Sequence, residues 1–325
     1  MITSRYQTAS HGPDSGSDIA FQSATGLHIH ATDSPDSPIL ETFYAGYDRA
    51  FVLANEKEEL SGFRECLALN HGAAYEDLAR QYGLFREIVA IALDPESGRC
   101  IAGANLIAFP ARERTGPQAL RATINLNYVF VAPEARGQGH LRRMATAVSE
   151  IASAWLFNDA TSDQPPAHHD TLVFIEQNDP LRISRADAEK DTAHSGIGQF
   201  DRIRIWTALG ARIIDFPYVQ PPLSEQQSAD DSLLLSVYGA LPPRLDPCDF
   251  HHHLERFFAI SVLKGRDLMQ EPVAASQVQL LEAACQAQRP FALLDPSTAL
   301  DEAEHAYAKN NAAIGSLREF LRPEV

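Results

Sequence analysis

Two hydrophobic patterns alternate along about the first 240 residues of the chain. Compact apolar runs rich in β-branched and aromatic residues are typical of strands, whereas apolar residues spaced three or four apart are typical of helices. The first pattern predicts strands at residues 49–54, 87–93, 100–109, 123–131, 171–177, 211–216 and 232–238. The second predicts one or two helices over 56–81 and single helices over 139–155 and 200–210. The interleaving of both patterns predicts an α/β (α+β) domain.

The runs at 87–93 and 100–109 form the best-marked pair, because the loop between them carries turn chemistry. It opens with Asp94 and Pro95 and has Gly98 near its end. Asp and Pro favour the start of a turn, and Gly supplies the positive φ that many turns need. A β-hairpin is therefore predicted here.

Both ends of the chain differ in composition from the middle. Residues 1–38 are rich in Ser, Asp, Gly, Thr and Pro and lack a periodic apolar pattern, which predicts a flexible or loosely docked arm. After the Pro-Pro step at 242–243 the patterns become helical, and apolar residues such as Phe257 require burial. We therefore predict a main domain over 39–242 and a helical C-terminal extension over 243–325 that packs on the core.

The net charge of −16 and the pI of about 5.1 narrow the classes of partner. A strongly negative surface repels phosphate backbones and anionic bilayers, so neither nucleic acid nor a membrane is a predicted partner. No apolar run reaches the roughly 20 residues that a bilayer-spanning helix needs, and the first residues lack the apolar core of a secretory signal. These features predict a cytoplasmic protein.

The cysteines and histidines do not suggest a metal site. Cys66, Cys100, Cys248 and Cys285 form no CxxC pair and no Cys/His cluster with zinc-like spacing. The three histidines at 251–253 are consecutive, and consecutive positions on a helix point in different directions. We expect no metal, no disulfide scaffold, and a reducing compartment.

The strongest candidate for chemistry is the turn at 136–141, RGQGHL, which joins the strand at 123–131 to the helix at 139–155. Its glycines allow the backbone to bring N–H groups close to a ligand. A helix that begins there points free N–H groups and its positive dipole end at the same spot, which suits a phosphate or pyrophosphate. The turn lacks the Lys-Ser/Thr of a Walker loop and the GxGxxG of a dinucleotide site. An ordinary strand-to-helix connection is the alternative.

The run at 129–139, VFVAPEARGQG, resembles motif A of the GNAT superfamily of acyl-CoA-dependent N-acyltransferases. That motif has the signature [Q/R]xxGx[G/A] after a strand that ends in V-x-P. The order of elements is similar too: a hairpin containing Gly103, this strand and turn, the strand at 171–177, and a helix containing Trp206. The resemblance covers roughly residues 45–240.

The resemblance implies a GNAT fold, in which a central mixed, mostly antiparallel sheet is splayed between its fourth strand (123–131) and fifth strand (171–177) and flanked by helices. It also implies direct transfer of an acyl group from acetyl-CoA or another acyl-CoA to a small-molecule or peptide amine. The positions implied to hold the pantetheine arm and the pyrophosphate are Val129, Phe130, Val131, Arg136, Gly137, Gln138, Gly139, His140 and Leu141.

Two residues depart from the family pattern. Leu141 stands where the family has Gly or Ala, and Trp206 stands where it often has a tyrosine that protonates the leaving thiolate. An indole is not a general acid, so that step needs another residue or water. Glu176 is the first candidate for the base, and Tyr128 and Asn178 are candidates for polarising or orienting groups. Glu176 and Tyr128 also have a structural interpretation, as an outward polar position and as packing.

Other interpretations stay open. The polar insertion at 178–199, which contains His194, is either a lid or disordered, and the loop at 216–223, which contains Tyr218, either lines the acceptor site or caps the core. A GNAT fold that senses acyl-CoA without chemistry, and an interaction protein that docks a partner through its C-terminal helices, are alternatives to the enzyme. The sequence leaves the oligomeric state open, a homodimer included.

Overall fold

The computed structural model describes residues 7–10, 16–54, 56–112, 120–157, 170–223, 227–309 and 315–322. The described strands are β1 (Gln7–Ser10), β2 (Ser17–Gln22), β3 (His28–Thr32), β4 (Arg86–Leu93), β5 (Cys100–Pro110), β6 (Ala122–Val131), β7 (Thr171–Asn178), β8 (Arg212–Ile214), β9 (Leu233–Gly239) and β10 (Leu293–Leu294). The described α-helices are α1 (Pro38–Ala50), α2 (Leu60–Ala68), α3 (Gly72–Tyr82), α4 (His140–Leu156), α5 (Arg185–Ser195), α6 (Gln199–Ala208), α7 (Pro247–Phe257), α8 (Pro272–Gln286), α9 (Leu300–Ala308) and α10 (Leu317–Phe320). The predicted mixed α/β class with mostly antiparallel strand pairing is confirmed.

The chain folds into two compact units. The first contains Met1–Phe51, Lys57–Thr171 and Arg256–Asp267, and the second contains Val52–Glu56, Leu172–Glu255 and Leu268–Val325. Both units therefore include part of the predicted C-terminal extension, so the units differ from the division at residues 38 and 242. Among the described helices, none is both long and apolar enough to cross a membrane.

In the first unit, β1 to β6 form an antiparallel sheet in chain order. The predicted hairpin is β4 and β5, which pair along their whole length. Helices α1 and α4 contact this sheet, and α1 contributes Leu40, Phe43 and Tyr47 to a buried cluster with Phe63 and Phe130. The core of the unit thus forms between the sheet and its helices, as the hydrophobic pattern predicts.

The prediction of a flexible arm over residues 1–38 is wrong for the described part of that segment. Strands β2 and β3 join the sheet, and β3 pairs with β4. Their alternating residues Ile19, Phe21 and Ile29 are buried. The turn between them is held by α4, because the Glu150 carboxylate accepts from Ala24 N at 3.0 Å and Arg143 Nε donates to the Thr25 carbonyl at 2.8 Å.

The strand predicted at 49–54 does not form, because the chain up to Ala50 belongs to α1. Ser37 caps this helix by accepting from Ile39 N at 3.1 Å, and Pro38 occupies its first turn. A proline is well tolerated at that position because its missing N–H would have no intrahelical partner. The cap and the proline were helix-start signals within the segment assigned to the arm.

In the second unit, the strands pair antiparallel in the order β7, β9, β8, β10. The insertion at 178–199 is not disordered, because half of it forms α5. Ser184 caps the start of α5 by accepting from Asp187 N at 3.1 Å, and Gly196 ends it in the left-handed conformation. The polar composition concealed the helix because α5 has few apolar residues to mark a buried face.

The C-terminal segment is bound into each unit by polar contacts. Within the first unit, the Ser261 hydroxyl donates to the buried Glu87 carboxylate, and Lys264 Nζ lies 2.9 Å from the Glu58 carboxylate. Within the second unit, Leu317 N donates to Asp179 Oδ2 at 2.9 Å. Apolar residues at 257, 258, 260, 262 and 263 are buried, as the need for burial predicts.

Cys248 and Cys285 are joined by a disulfide that links α7 to α8, with Cα atoms 4.6 Å apart. The prediction of reduced cysteines is wrong for this pair. The two residues lie 37 positions apart, so no local spacing in the sequence marks them as partners. Cys66 and Cys100 are free thiols.

We expect that removal of this disulfide lowers the free energy of unfolding by about 2–4 kcal/mol, because the bridge restricts the unfolded chain. Urea unfolding of the oxidised protein and of the Cys248→Ala/Cys285→Ala double variant measures the loss. A reductant should lower the midpoint of the wild type and leave that of the double variant unchanged. Equal midpoints for oxidised and reduced wild type would contradict the prediction.

Candidate functional site

The turn between β6 and α4 has the backbone conformation that its two glycines permit. A short 3₁₀ turn at Pro133–Ala135 follows β6, and Gly137 and Gly139 both have φ of +76°. A Cβ atom at either glycine would meet no atom within 4 Å. Glycine is therefore favoured here by the left-handed backbone and not by a lack of space.

The start of α4 offers main-chain donors to solvent. Gly139 is the N-cap of this 17-residue helix, and among the described residues no side chain caps its first turn. Residues 137–139 are exposed, so an anion can approach the amides from outside. Free N–H groups at the positive end of a helix dipole form an anion site. The turn can thus bind a phosphate group through backbone atoms alone.

The side chains that follow the turn are less available than its backbone. His140 is buried, and burial, followed by the nearby Arg143, lowers the pKa of its imidazole. Arg143 uses its Nε on the Thr25 carbonyl. Leu141, the departure from the family pattern, is half-buried in the first turn of α4. The side chains at these positions therefore support the turn structurally, and the contribution of these residues to an anion site is limited to main-chain N–H groups in the first turn of α4.

The predicted pantetheine-binding positions lie at the end of β6. Phe130 is buried against Phe43, with ring centroids 5.6 Å apart, and a Cβ atom at Gly46 or Gly103 would lie within 2.6 Å of its ring. The glycines of α1 and β5 therefore make room for this ring. Val129 and Val131 are half-buried. Because the Phe130 side chain belongs to the core, a contact of this residue with a ligand would have to come from its main chain.

A β-bulge interrupts β6 next to Tyr128. Asn105 of β5 lies opposite Tyr128 and Leu106 lies opposite Leu126, so Asn127 is an extra residue. Asn127 Nδ2 donates to Asn105 Oδ1 at 3.1 Å, and Asn125 Nδ2 donates to Asn127 Oδ1 at 2.9 Å. Bulges redirect the backbone and often lie beside active sites. No sequence pattern marked this one.

Tyr128 lies in an aromatic cluster. Its ring centroid is 4.8 Å from that of Tyr47, 5.4 Å from that of Phe51 and 5.6 Å from that of Phe63. Its hydroxyl also bonds to Tyr47, whose pKa is raised mainly by burial. The structure thus gives Tyr128 the packing role that was its structural interpretation, with one hydroxyl contact beside it.

Glu176 and Asn178 lie two residues apart on β7, so their side chains project from the same face of the strand. The Tyr218 hydroxyl donates a short hydrogen bond to Glu176 Oε1. Asn178 Nδ2 donates to Glu56 Oε1 at 2.8 Å. All four residues belong to the second unit. The two predicted residues therefore each have a partner that is remote in the sequence.

Burial makes both carboxyl groups weaker acids than usual. It raises the pKa of Glu176 to about 7, although the hydrogen bond from Tyr218 favours the charged form. Burial raises the pKa of Glu56 to about 7 as well, against the hydrogen bond from Asn178. The pKa of the Tyr218 hydroxyl is raised well above its usual value by burial and then by Glu176. A carboxyl group that titrates near neutral pH is suited to accept a proton.

The other residues considered in the sequence lie outside this set. Trp206 is half-buried on α6, with its ring centroid 5.7 Å from that of Tyr238. His194 is exposed on α5. The sequence pattern does not mark Glu56 as a site residue, because it stands at the start of the helix predicted over 56–81. Within the described ranges, no group of three or more His, Cys, Asp or Glu residues is placed to hold a metal ion.

Comparisons with known proteins give structural matches only. No protein-family model matches the chain, and no curated protein matches it in sequence. The ribosomal-protein-S18-alanine N-acetyltransferase of Escherichia coli matches at 14% identity and a TM-score of 0.32, over 62% of this chain and 88% of its own. NAA60 of Arabidopsis thaliana, solved with acetyl-CoA, matches at 13% identity and a TM-score of 0.33, over 65% of this chain and 99% of its own. A protein from Bordetella pertussis that is described as a putative GNAT-family acetyltransferase matches at 12% identity and a TM-score of 0.30, over 72% of this chain and 99% of its own.

Proposed function

We propose that this protein transfers an acyl group, in the first instance acetyl, from acyl-CoA directly to an amine. The proposal depends above all on one observation, the exposed turn in which Gly137 and Gly139 lead into α4. Main-chain amides bind phosphate oxygens without a requirement for net positive charge, so a chain with a net charge of −16 can still hold a pyrophosphate there. Arg136 and Arg142 flank the turn and add local positive charge.

In the proposed reaction, Glu176 removes a proton from the acceptor ammonium, because only the neutral amine has a lone pair for attack. The amine nitrogen then attacks the thioester carbonyl carbon and a C–N bond forms. The C–S bond breaks, the thiolate of coenzyme A departs, and the excess proton of the attacking nitrogen passes to that thiolate directly or through water. We assign the orientation of the acceptor to Asn178.

The test combines binding with turnover. We expect acetyl-CoA to raise the melting temperature, and acetyl-pantetheine, which lacks the pyrophosphate, to have little effect at the same concentration. Release of free thiol is then followed with a panel of small-molecule and peptide amines. Equal stabilisation by both thioesters would contradict the role of the turn.

A binding module that senses acyl-CoA without chemistry is the second candidate, and Trp206 is the observation that favours it. The indole cannot protonate a leaving thiolate, and no tyrosine takes its place on α6. Stabilisation by acetyl-CoA with no thiol release from any amine on the panel would select this function over the enzyme.

A further inference from the structure

The loop that carries Tyr218 connects β8 to β9, and its main chain is held in place from outside the loop. Tyr218 is buried and its hydroxyl bonds to Glu176. Phe216, two residues earlier, packs edge-on against Phe250 with ring centroids 5.3 Å apart. The sequence left open whether this loop lines an acceptor site or caps the core. Its contact with the candidate base makes its position relevant to chemistry.

One side chain of α8 bonds to the main chain on both sides of Tyr218. Gln277 Nε2 donates to the Pro217 carbonyl at 3.1 Å, and Gln277 Oε1 accepts from Val219 N at 3.2 Å. Gln277 is only 5% exposed. Its amide thus matches one acceptor and one donor of the loop, and all of these residues lie in the second unit.

Packing alone does not explain a glutamine at this position. The neighbouring buried residues of α8 are apolar, namely Ala274, Val278 and Leu281. A methionine would fill a similar volume without a buried polar group, whereas a buried amide costs free energy unless both its ends are bonded. Here both ends are bonded, and the bonds go to the residues directly before and after Tyr218.

We propose that Gln277 is a positioning residue for the acyl transfer, because it fixes the main chain around Tyr218 and so holds the Tyr218 hydroxyl against Glu176. The catalytic part of this inference rests on the proposed function, and the contacts themselves do not. Helix α8, which lies in the predicted C-terminal extension, thereby takes part in the proposed reaction, and it acts through Tyr218 without touching the substrate.

A double-mutant cycle tests this chain of contacts. Gln277→Met keeps the volume and removes both hydrogen bonds, and Gln279→Met, at an exposed position on the same helix, is the matched control. We expect Gln277→Met to lower kcat by roughly 10- to 100-fold, since small displacements of a catalytic group have effects of this size. KM for acetyl-CoA should be unchanged, and Gln279→Met should behave as wild type.

The decisive comparison is made in a Tyr218→Phe background. If Gln277 acts through the Tyr218 hydroxyl, Gln277→Met should have little further effect once that hydroxyl is gone. If the double variant loses kcat by the product of the two single losses, the residues act independently and the proposal is overturned. An equal loss of kcat in the Gln279→Met control would overturn it too. Gln277→Ala serves as the second variant if Gln277→Met proves too unstable, with the same expectation for the cycle.

Two measurements separate this proposal from the proposed function, because they need no turnover. Amide hydrogen exchange at Val219 should quicken in Gln277→Met and not in Gln279→Met. In a ¹³C NMR titration, the Glu176 midpoint should rise in both Gln277→Met and Tyr218→Phe, because each loses a hydrogen bond that favours the carboxylate. Unchanged exchange and an unchanged midpoint would overturn the positioning role even in an active enzyme. If the variants show both changes but the wild-type protein transfers no acyl group, the contacts of Gln277 are supported and only the proposed function is refuted.

Discussion

Replacement of Gly139 by Asp is expected to abolish measurable binding of acetyl-CoA. The new carboxylate would stand at the N-cap of α4, beside the site proposed for the pyrophosphate. Two like charges about 4 Å apart near a protein surface repel by about 4 kcal/mol, which corresponds to roughly 10³-fold in affinity. Isothermal titration with acetyl-CoA measures the change.

The fold should survive this substitution. A Cβ atom at Gly139 meets nothing within 4 Å, and Asp adopts the left-handed conformation more readily than most residues. Gly139→Asn tests the role of charge, because it has a similar shape without the carboxylate and should retain most of the affinity. Equal loss of binding in Gly139→Asn and Gly139→Asp would show that backbone strain, and not charge, is responsible.

Gly72→Asp is a matched control for a new carboxylate elsewhere. Gly72 also has positive φ and open space around its Cβ position. It follows Asn70, which bonds to Glu87 at the start of β4. Across the sheet from Glu87 lies Asn125, six residues before Val131, so this region is roughly 20 Å from the end of β6 at the usual rise per residue. The affinity of the Gly72→Asp variant for acetyl-CoA should therefore equal that of the wild type.

The second large effect is expected from Glu176→Gln. The substitution keeps the shape and an acceptor for the Tyr218 hydroxyl but removes the proton-accepting carboxylate. Loss of a general base lowers kcat by about 10²- to 10⁴-fold. The rate of thiol release with a saturating amine acceptor measures the effect, and Glu282→Gln, at an exposed position on α8, should leave it unchanged.

The pH dependence of kcat tests the assignment of Glu176 as the base. The pKa of Glu176 is raised to about 7, so its carboxylate fraction grows through neutral pH. A base acts when deprotonated, and kcat should therefore rise through about pH 7 and level off above it. In Glu176→Gln this limb should vanish.

For folding, a raised carboxyl pKa means that the contribution of Glu176 to the free energy of unfolding is greatest at low pH and declines as pH rises through about 7. Glu176→Gln should therefore be at least as stable as wild type at pH 8, and a lower stability there would contradict the raised pKa. A limb retained in the variant would refute the assignment of Glu176 as the base.

The parts of the molecule that could be predicted from sequence are those with local causes. The turn at Gly137 and Gly139, the hairpin of β4 and β5, and α4 all follow from chemistry within a few residues. Strands β2 and β3 could not be predicted in this way, because their apolar alternation is short and their stability depends on pairing with β4. Helix α5 carried its own start and stop signals in Ser184 and Gly196, and its polar composition outweighed them.

The candidate site shows the same division. Glu176 and Asn178 could be proposed because they end a well-marked strand. Their partners are 42 and 122 positions away in the chain, at Tyr218 and Glu56, and no periodicity links such positions. Gln277 lies about 60 positions beyond the loop that it holds. Contacts between remote segments depend on the assembled fold, and a sequence read by local pattern does not contain them.

The N-terminal strands also decide where the chain can be shortened. A truncated protein that starts at residue 39 would follow the composition of the sequence, yet it would strip β3 from β4 and leave a long, apolar strand edge with unpaired main-chain groups. It would also deprive Glu150 and Arg143 of the turn that they hold. Such a fragment would recruit other chains to its open edge, and its precipitation during expression would be mistaken for an intrinsic weakness of the remaining domain.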